Sequence, residues 1–341
     1  MDPTERRPLG RTGLMVTRLG LGGVPLGDPD MVTPEAQAEA TVRAAQDAGI
    51  GYFDTSPWYG NGKSEHRMGH VLRTLPRQSF AISTKVGRVY FRPSDPDGFR
   101  HPRWAGGLPF DLRFDYTREG VLRSYEDSLM RLGLNRVDVL FVHDLDFRHQ
   151  KDEEGVGRAL DQLDAGGGWR ALEGLRASGE IRGIGFGINH IGMIPRFLER
   201  FDPDVFLVAM PYTLLDQPAL DREFPACAER SVAIVIGSVY AAGILATGPT
   251  DRAVYAYQPA SEEVKERVRR IAAVCERHEV PLKAAALQFP LHHPIVAAAI
   301  PGALAPEQVH ENLALMQVGI PPDFWAELKS SGLLRQDAPT P

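Results

Sequence analysis

The sequence predicts an α/β chain that closes as a (β/α)8 barrel of the TIM-barrel class, with an N-terminal hairpin and a long lid loop after the third strand. Three observations carry this. Eight short, nearly all-apolar runs alternate with segments of helical periodicity. Continuous apolar runs belong to parallel strands covered on both faces. The length, 341 residues, suits one large barrel, read as a single domain over 1–341 with no internal boundary. A doubly wound sheet is the alternative. It would carry Gly-x-Gly-x-x-Gly after its first strand and an acid about twenty residues on, and that fingerprint is absent.

Residues 7–18 read as a hairpin turning at Gly10-Arg11-Thr12-Gly13, placed to plug one end of the barrel. Leu19 to Gly23 is the first strand. Pro34 to Ala48 is a helix stopped by Gly49. Tyr52 to Asp54 is the second strand, and a helix follows with Ser64 as N-cap and Glu65 in its first turn. Phe80 to Thr84 is the third strand, ending at Lys85. Residues 86–115 show neither helix nor strand. A loop of that length inside a compact domain is functional or disordered, and its aromatics favour an ordered lid. Thr117 to Leu132 is a helix closed by Gly133, and Val137 to Val142 is the fourth strand, ending at His143-Asp144.

Leu160 to Ala177 reads as helical with an interruption at Gly166-Gly167-Gly168. Ile181 to Phe186, Val205 to Ala209, Val232 to Ile236 and Ile295 to Ile300 are the last four strands. Helices are expected over 191–200, 219–230, 262–278, 282–291, 306–316 and 322–328.

Net charge is −6 with no long basic run, so the sequence offers no nucleic-acid footprint. No window is apolar enough to span a bilayer, and the first residues lead into no apolar stretch of the kind a signal peptide needs. Cys227 and Cys275 lie far apart and form neither a disulfide framework nor a metal set, which fits a reducing cytoplasm.

Barrel chemistry sits at the C-terminal ends of the strands. Asp54, Lys85 and His143 end strands, and Tyr59 lies just past the second. Alone, each has an ordinary structural reading: a loop cap, a solvated charge, a hydrogen-bonded histidine, a packed ring. On one rim they make a proton-transfer set. A tyrosine has a pKa of about 10 and is a poor base at neutrality. A lysine cation nearby is expected to lower it, an aspartate to hold the lysine, and a histidine to bond the substrate oxygen. Such a tyrosine serves hydride transfer to or from a carbonyl, the hydride coming from a cofactor.

The sequence resembles the aldo-keto reductases over essentially its whole length. The resemblance rests on Leu9-Gly10-Arg11-Thr12-Gly13-Leu14, Phe53-Asp54-Thr55-Ser56 with Tyr59-Gly60, and Ser83-Thr84-Lys85-Val86-Gly87. It continues through Asp138 to His143 and Ile300-Pro301-Gly302 with Glu311-Asn312. It implies that Asp54, Tyr59, Lys85 and His143 are the family's catalytic tetrad, with Tyr59 as general acid/base, and that the barrel binds an extended nicotinamide dinucleotide.

By the same resemblance Asn189 is the candidate to hold the carboxamide, and Gly237, Ser238, Gly302, Gln308, Glu311 and Asn312 complete the cofactor contacts. Ala209 stands where the family usually has glutamine, and Gly237 where a tyrosine commonly stacks on the nicotinamide. Another group must support that ring. NADP-preferring members carry basic residues after the eighth strand. Here the stretch reads Gly302-Ala303-Leu304-Ala305-Pro306-Glu307-Gln308, so NAD is expected over NADP unless a basic residue reaches in from another loop.

Within the family the chain looks like the branch of D-threo-aldose and L-fucose 1-dehydrogenases, to which pyridoxal 4-dehydrogenase is similar. A small sugar or aldehyde is the implied partner, with Trp58, Arg88, Trp104 and Asp144 shaping its pocket; no metal is expected. A cofactor-binding regulatory subunit is the reading from another class. The complete tetrad speaks against it.

Overall fold

The computed structural model describes residues 1–341. Eight parallel strands form the central sheet: β1 (Leu21–Gly22), β2 (Tyr52–Asp54), β3 (Ala81–Val86), β4 (Val139–His143), β5 (Gly183–Ile188), β6 (Val205–Ala209), β7 (Ala233–Gly237) and β8 (Val296–Ala299). Their order in the sheet is their order in the chain. The two ends meet through parallel bridges, Leu19 to Ala299 and Gly22 to Gly302. The Gly20 and Gly22 amides donate to the Ala299 and Pro301 carbonyls at 2.9 and 3.0 Å. Closure removes the sheet edges that would otherwise be free to pair.

The N-terminal hairpin pairs Arg6–Pro8 with Met15–Thr17 antiparallel. Its Leu9 and Val16 are buried in one cluster with Tyr52, Phe141, Leu207 and Val235, so the hairpin fills the bottom of the barrel as expected. At its turn Gly10 has φ +55, and a Cβ there would stand 2.6 Å from the Asp204 carbonyl. Only glycine fits that approach. Helices cover the outside over a second, larger apolar cluster. Helix Arg118–Leu132 starts where the Thr117 hydroxyl accepts the Gly120 amide and stops at Gly133, with φ +63.

Three expectations about elements are corrected. Residues 86–115 contain a hairpin, Arg88–Phe91 paired antiparallel with Asp111–Phe114. Its strands are four residues long and separated by a Pro- and Gly-rich loop, which hides the alternation. Ser64 is not a cap. The helix runs from Lys63 to Leu72 behind Gly62 at φ +95, and the Ser64 hydroxyl instead donates to the Gly23 carbonyl at 2.8 Å. The segment over 160–177 is interrupted at its glycines as expected, but as two separate helices, Glu153–Leu163 and Gly168–Ala177, the first starting at Glu153 rather than Leu160.

Side chains alternate between barrel interior and helix layer along each strand. Tyr52, Ala81, Val139 and Phe141 point inward. Counting on by two puts Asp54, Ser83, Lys85 and His143 on the same inner face, at the C-terminal ends of adjacent strands. The fold positions the site through this periodicity.

Candidate active site

Asp54 and Lys85 face each other across β2 and β3. Lys85 Nζ donates to Asp54 Oδ2 at 2.7 Å and to the Thr55 carbonyl at 2.7 Å. Ser83 Oγ donates to Asp54 Oδ1 at 2.7 Å. Both charges are almost wholly buried. Burial pushes the Asp54 carboxyl up and the Lys85 ammonium down, and each charge opposes the shift of the other.

Tyr59 reaches back over this pair from the loop after β2. Lys85 Nζ lies 4.6 Å from the centroid of its ring, and the His143 ring is 6.0 Å away. The lysine sits against the ring face. The expected lowering of the Tyr59 pKa is therefore corrected: burial, reinforced by Asp54 and Asp144, holds the phenol well above its usual value of 10. In this state Tyr59 is a proton donor. His143 moves the other way. Burial, Arg88 and Lys85 hold it well below 6.5, so its ring is neutral.

Two joined cavities meet at Tyr59. One, of about 160 Å³, is lined by Trp58, Trp104, Lys85, His143, Asp144 and Asn189, with Arg103, Arg148 and His149 at its polar side. The other, of about 370 Å³, runs from Asp54 past Gly237, Ser238 and Tyr240 to Gly302. Leu207, Ala209 and Tyr257 border both. The groove passes two positions without side chains, Gly237 and Gly243, and a Cβ at Gly243 would meet nothing within 4 Å. The groove is open at Gly243 and leaves room there for an extended ligand.

The remaining candidates are placed unequally. Trp58, Trp104 and Asp144 line the smaller cavity, and the buried Trp104 Nε1 has no partner. Arg88 lines neither cavity: it is buried, and its Nη1 donates to Asp144 Oδ2 at 2.6 Å. Its expected contact with substrate is corrected to a contact with the site's own residues, because Asp144 already neutralises it. Asn312 is buried and accepts the Tyr240 hydroxyl at 2.6 Å, bordering the groove through that ring. Gln308 and Glu311 stand outside the groove walls. Gln308 Oε1 accepts the Leu304 amide at 2.6 Å, and Glu311 pairs with Lys283 at 2.7 Å.

The sequence reasoning missed Tyr257. It sits at the tip of a hairpin in which Val254–Tyr255 pairs with Gln258–Pro259. Ala256 and Tyr257 both have positive φ, +49 and +65. That two-residue turn favours Asn-Gly, and a left-handed L-residue costs roughly 1–2 kcal/mol. The Tyr257 hydroxyl donates to Asn189 Oδ1 at 3.2 Å and lies 3.2 Å from Ser238 Oγ. The Arg148 guanidinium is 4.2 Å from its ring centroid. With no Gly or Asn at the turn, only the repeated tyrosines of Tyr255-Ala256-Tyr257 could have drawn attention to it.

Paired strand-end charges, a protonated phenol and a neutral imidazole beside a long groove define a barrel enzyme equipped for proton transfer at a substrate oxygen. Residues 18–332 match the profile of the Aldo/keto reductase family, and the chain belongs to it. It is 41% identical to a pyridoxal 4-dehydrogenase of Microbacterium luteolum, over 98% of this chain and 99% of that one. It is 39% identical to a D-threo-aldose 1-dehydrogenase of a Pseudomonas species, over 96% and 97%. Among solved structures, an aldo-keto reductase from Bacillus halodurans in its holo form superposes with a TM-score of 0.73 at 22% identity, over 96% and 95% of the chains. That likeness concerns the fold. The family uses nicotinamide cofactors and acts on small aldehydes or sugars. No helix is long and apolar enough to cross a membrane.

Proposed function

We propose that this protein is an NAD-dependent dehydrogenase that oxidises the anomeric hydroxyl of a small aldose, of the L-fucose or D-threo-aldose type, to a lactone. The observation that carries the reading is the cavity over Tyr59 and His143. Its volume of about 160 Å³ suits a single ring, and its walls combine Trp58 and Trp104 with Asp144 and Asn189. Aromatic faces take the apolar side of a sugar ring, and the polar groups take its hydroxyls. The 39%-identical relative named for D-threo-aldose supports it.

A bound nicotinamide dinucleotide would supply the acceptor for the hydride that leaves C1. In its deprotonated form Tyr59 takes the hydroxyl proton at its phenolate oxygen as the C1–O double bond forms, and the protonated phenol serves the reverse direction. His143 bonds the same substrate oxygen. Asp54 holds Lys85 in place, and Lys85 places a positive charge beneath the Tyr59 ring. Asn189, Ser238 and Tyr257 would hold the nicotinamide end, with Tyr257 offering the aromatic side chain that Gly237 lacks. Tyr257→Ala then raises the KM for NAD up to about tenfold, the size of one aromatic contact, with a smaller effect on the KM for sugar. An unchanged KM for NAD would remove Tyr257 from this role.

NAD is preferred because residues 302–308 bring no base, and Lys283 is engaged by Glu311. Initial rates with both cofactors against L-fucose, D-arabinose, L-galactose and pyridoxal test the reading. The expected result is at least about a tenfold higher kcat/KM with NAD, the worth of one charge-assisted hydrogen bond. A preference for NADP would overturn it and point to Lys283. A second reading, oxidation of pyridoxal, is favoured by the 41%-identical relative named for it and by the two indoles, packed edge to face at 5.4 Å, that line the cavity. Turnover of pyridoxal alone would select it.

A further inference from the structure

Arg88 begins the lid hairpin directly after Gly87, whose φ is +105. A Cβ at Gly87 would lie 2.4 Å from the Tyr116 ring, so the chain leaves β3 through glycine there. The Arg88 guanidinium is then held between two rings, 4.4 Å from the Trp58 centroid and 4.5 Å from that of Phe114. Its Nη1 donates to Asp144 Oδ2 at 2.6 Å and stands 3.2 Å from His143 Nδ1.

An arginine has five N–H donors and no acceptor. The nitrogen it faces on His143 must therefore offer a lone pair. Ser56 Oγ, 3.1 Å from the same Nδ1, accepts the Trp58 amide and can donate its own proton to the ring. Both neighbours are then satisfied only when the ring proton sits on Nε2. Asp144 Oδ1 is 3.5 Å from Nε2, too far for a good hydrogen bond, which leaves that N–H for a ligand in the cavity that His143 lines.

We propose that Arg88 is a positioning residue for His143: by donating to Nδ1 it fixes the imidazole as the Nε2–H tautomer that a substrate oxygen requires. The inference rests on the reading of His143 as the group that bonds that oxygen. Other groups face the ring too. Lys85 comes from β3, Tyr59 from the loop after β2, and Asp144 and His149 from beyond β4, while β5 brings only Gly187. Arg88 and Lys85 disfavour a second ring proton, and Asp144 would favour one if Arg88 were gone.

The test is nitrogen NMR of the full-length protein with labelled histidine, using His143→Gln to assign the ring by difference. The wild type is expected to show unprotonated Nδ1 and protonated Nε2, with no titration between about pH 5 and 8. In Arg88→Met the ring titrates inside that window or populates both tautomers. Its kcat falls on the order of 100-fold with the KM for cofactor unchanged. Arg88→Lys keeps a donor-only cation without the planar fork, and restores the non-titrating ring in part.

A wild-type ring protonated on Nδ1, or an Arg88→Met ring identical to wild type, would overturn the proposal. Should Arg88→Met fail to fold with Asp144 left buried and unpaired, the wild-type spectrum still decides. No substrate is present in this measurement. A wrong tautomer in an enzyme that turns over aldose sinks only the role of Arg88. The right tautomer in a protein inert to every sugar sinks only the proposed function.

Discussion

Tyr59→Phe is expected to lower kcat about 10²–10⁴-fold while leaving the fold unchanged. The substitution removes one oxygen. The ring keeps its place over Lys85 and beside Trp104. What is lost is the atom that carries the proton. Because burial, Asp54 and Asp144 hold the phenol above 10, its base form grows with rising pH. Oxidation by the wild type should therefore climb toward alkaline pH, and the residual rate of Tyr59→Phe should not. Initial rates across pH, with a melting curve for each protein, check both statements. A variant with wild-type kcat would remove Tyr59 from the chemistry.

Lys85→Met should be the most damaging single change to stability near the site. It leaves the Asp54 carboxylate buried without its cation, and breaking a buried pair in this way costs about 3–5 kcal/mol. The loss depends on pH. Burial already pushes the Asp54 carboxyl up, and without Lys85 the charge opposing that push is gone. A carboxyl whose pKa is higher folded than unfolded binds its proton more tightly in the folded state. The variant is therefore least impaired at acidic pH, and its deficit grows as pH rises through the folded pKa. Denaturant unfolding at acidic and neutral pH reads this out. Adding Asp54→Asn should recover much of the stability and none of the activity. A deficit that does not change with pH would show that the unpaired carboxylate is not its cause.

Much of this was legible in the sequence because it depends on period. Apolar runs at Phe80 to Thr84 and Val137 to Val142 marked strands whose inward set, continued by two, ends at Lys85 and His143. The register across β2, β3 and β4 then brings Asp54, Lys85 and His143 together with no further information. The contacts set by loops were not legible. Ser64 looked like a cap, yet its hydroxyl is used by Gly23, a residue that arrives from β1. Arg88 read as a residue shaping the substrate pocket, and only the two aromatic rings and Asp144 around it show that it is engaged within the protein. Tyr257 lay in a turn without the usual residues, and its partners Asn189 and Ser238 follow two other strands. The direction of the Tyr59 shift also depended on placement. A lysine against the ring face does not offset burial as one at the hydroxyl would.

The hydride itself can be followed with an isotope. L-fucose deuterated at C1 would be incubated with NAD and the protein, and the reduced cofactor isolated. One deuterium on the nicotinamide ring and a slower rate than with unlabelled sugar are expected, both lost in Tyr59→Phe. Reduced cofactor without deuterium, or labelled cofactor formed as fast by Tyr59→Phe, would contradict hydride transfer from C1 assisted by Tyr59.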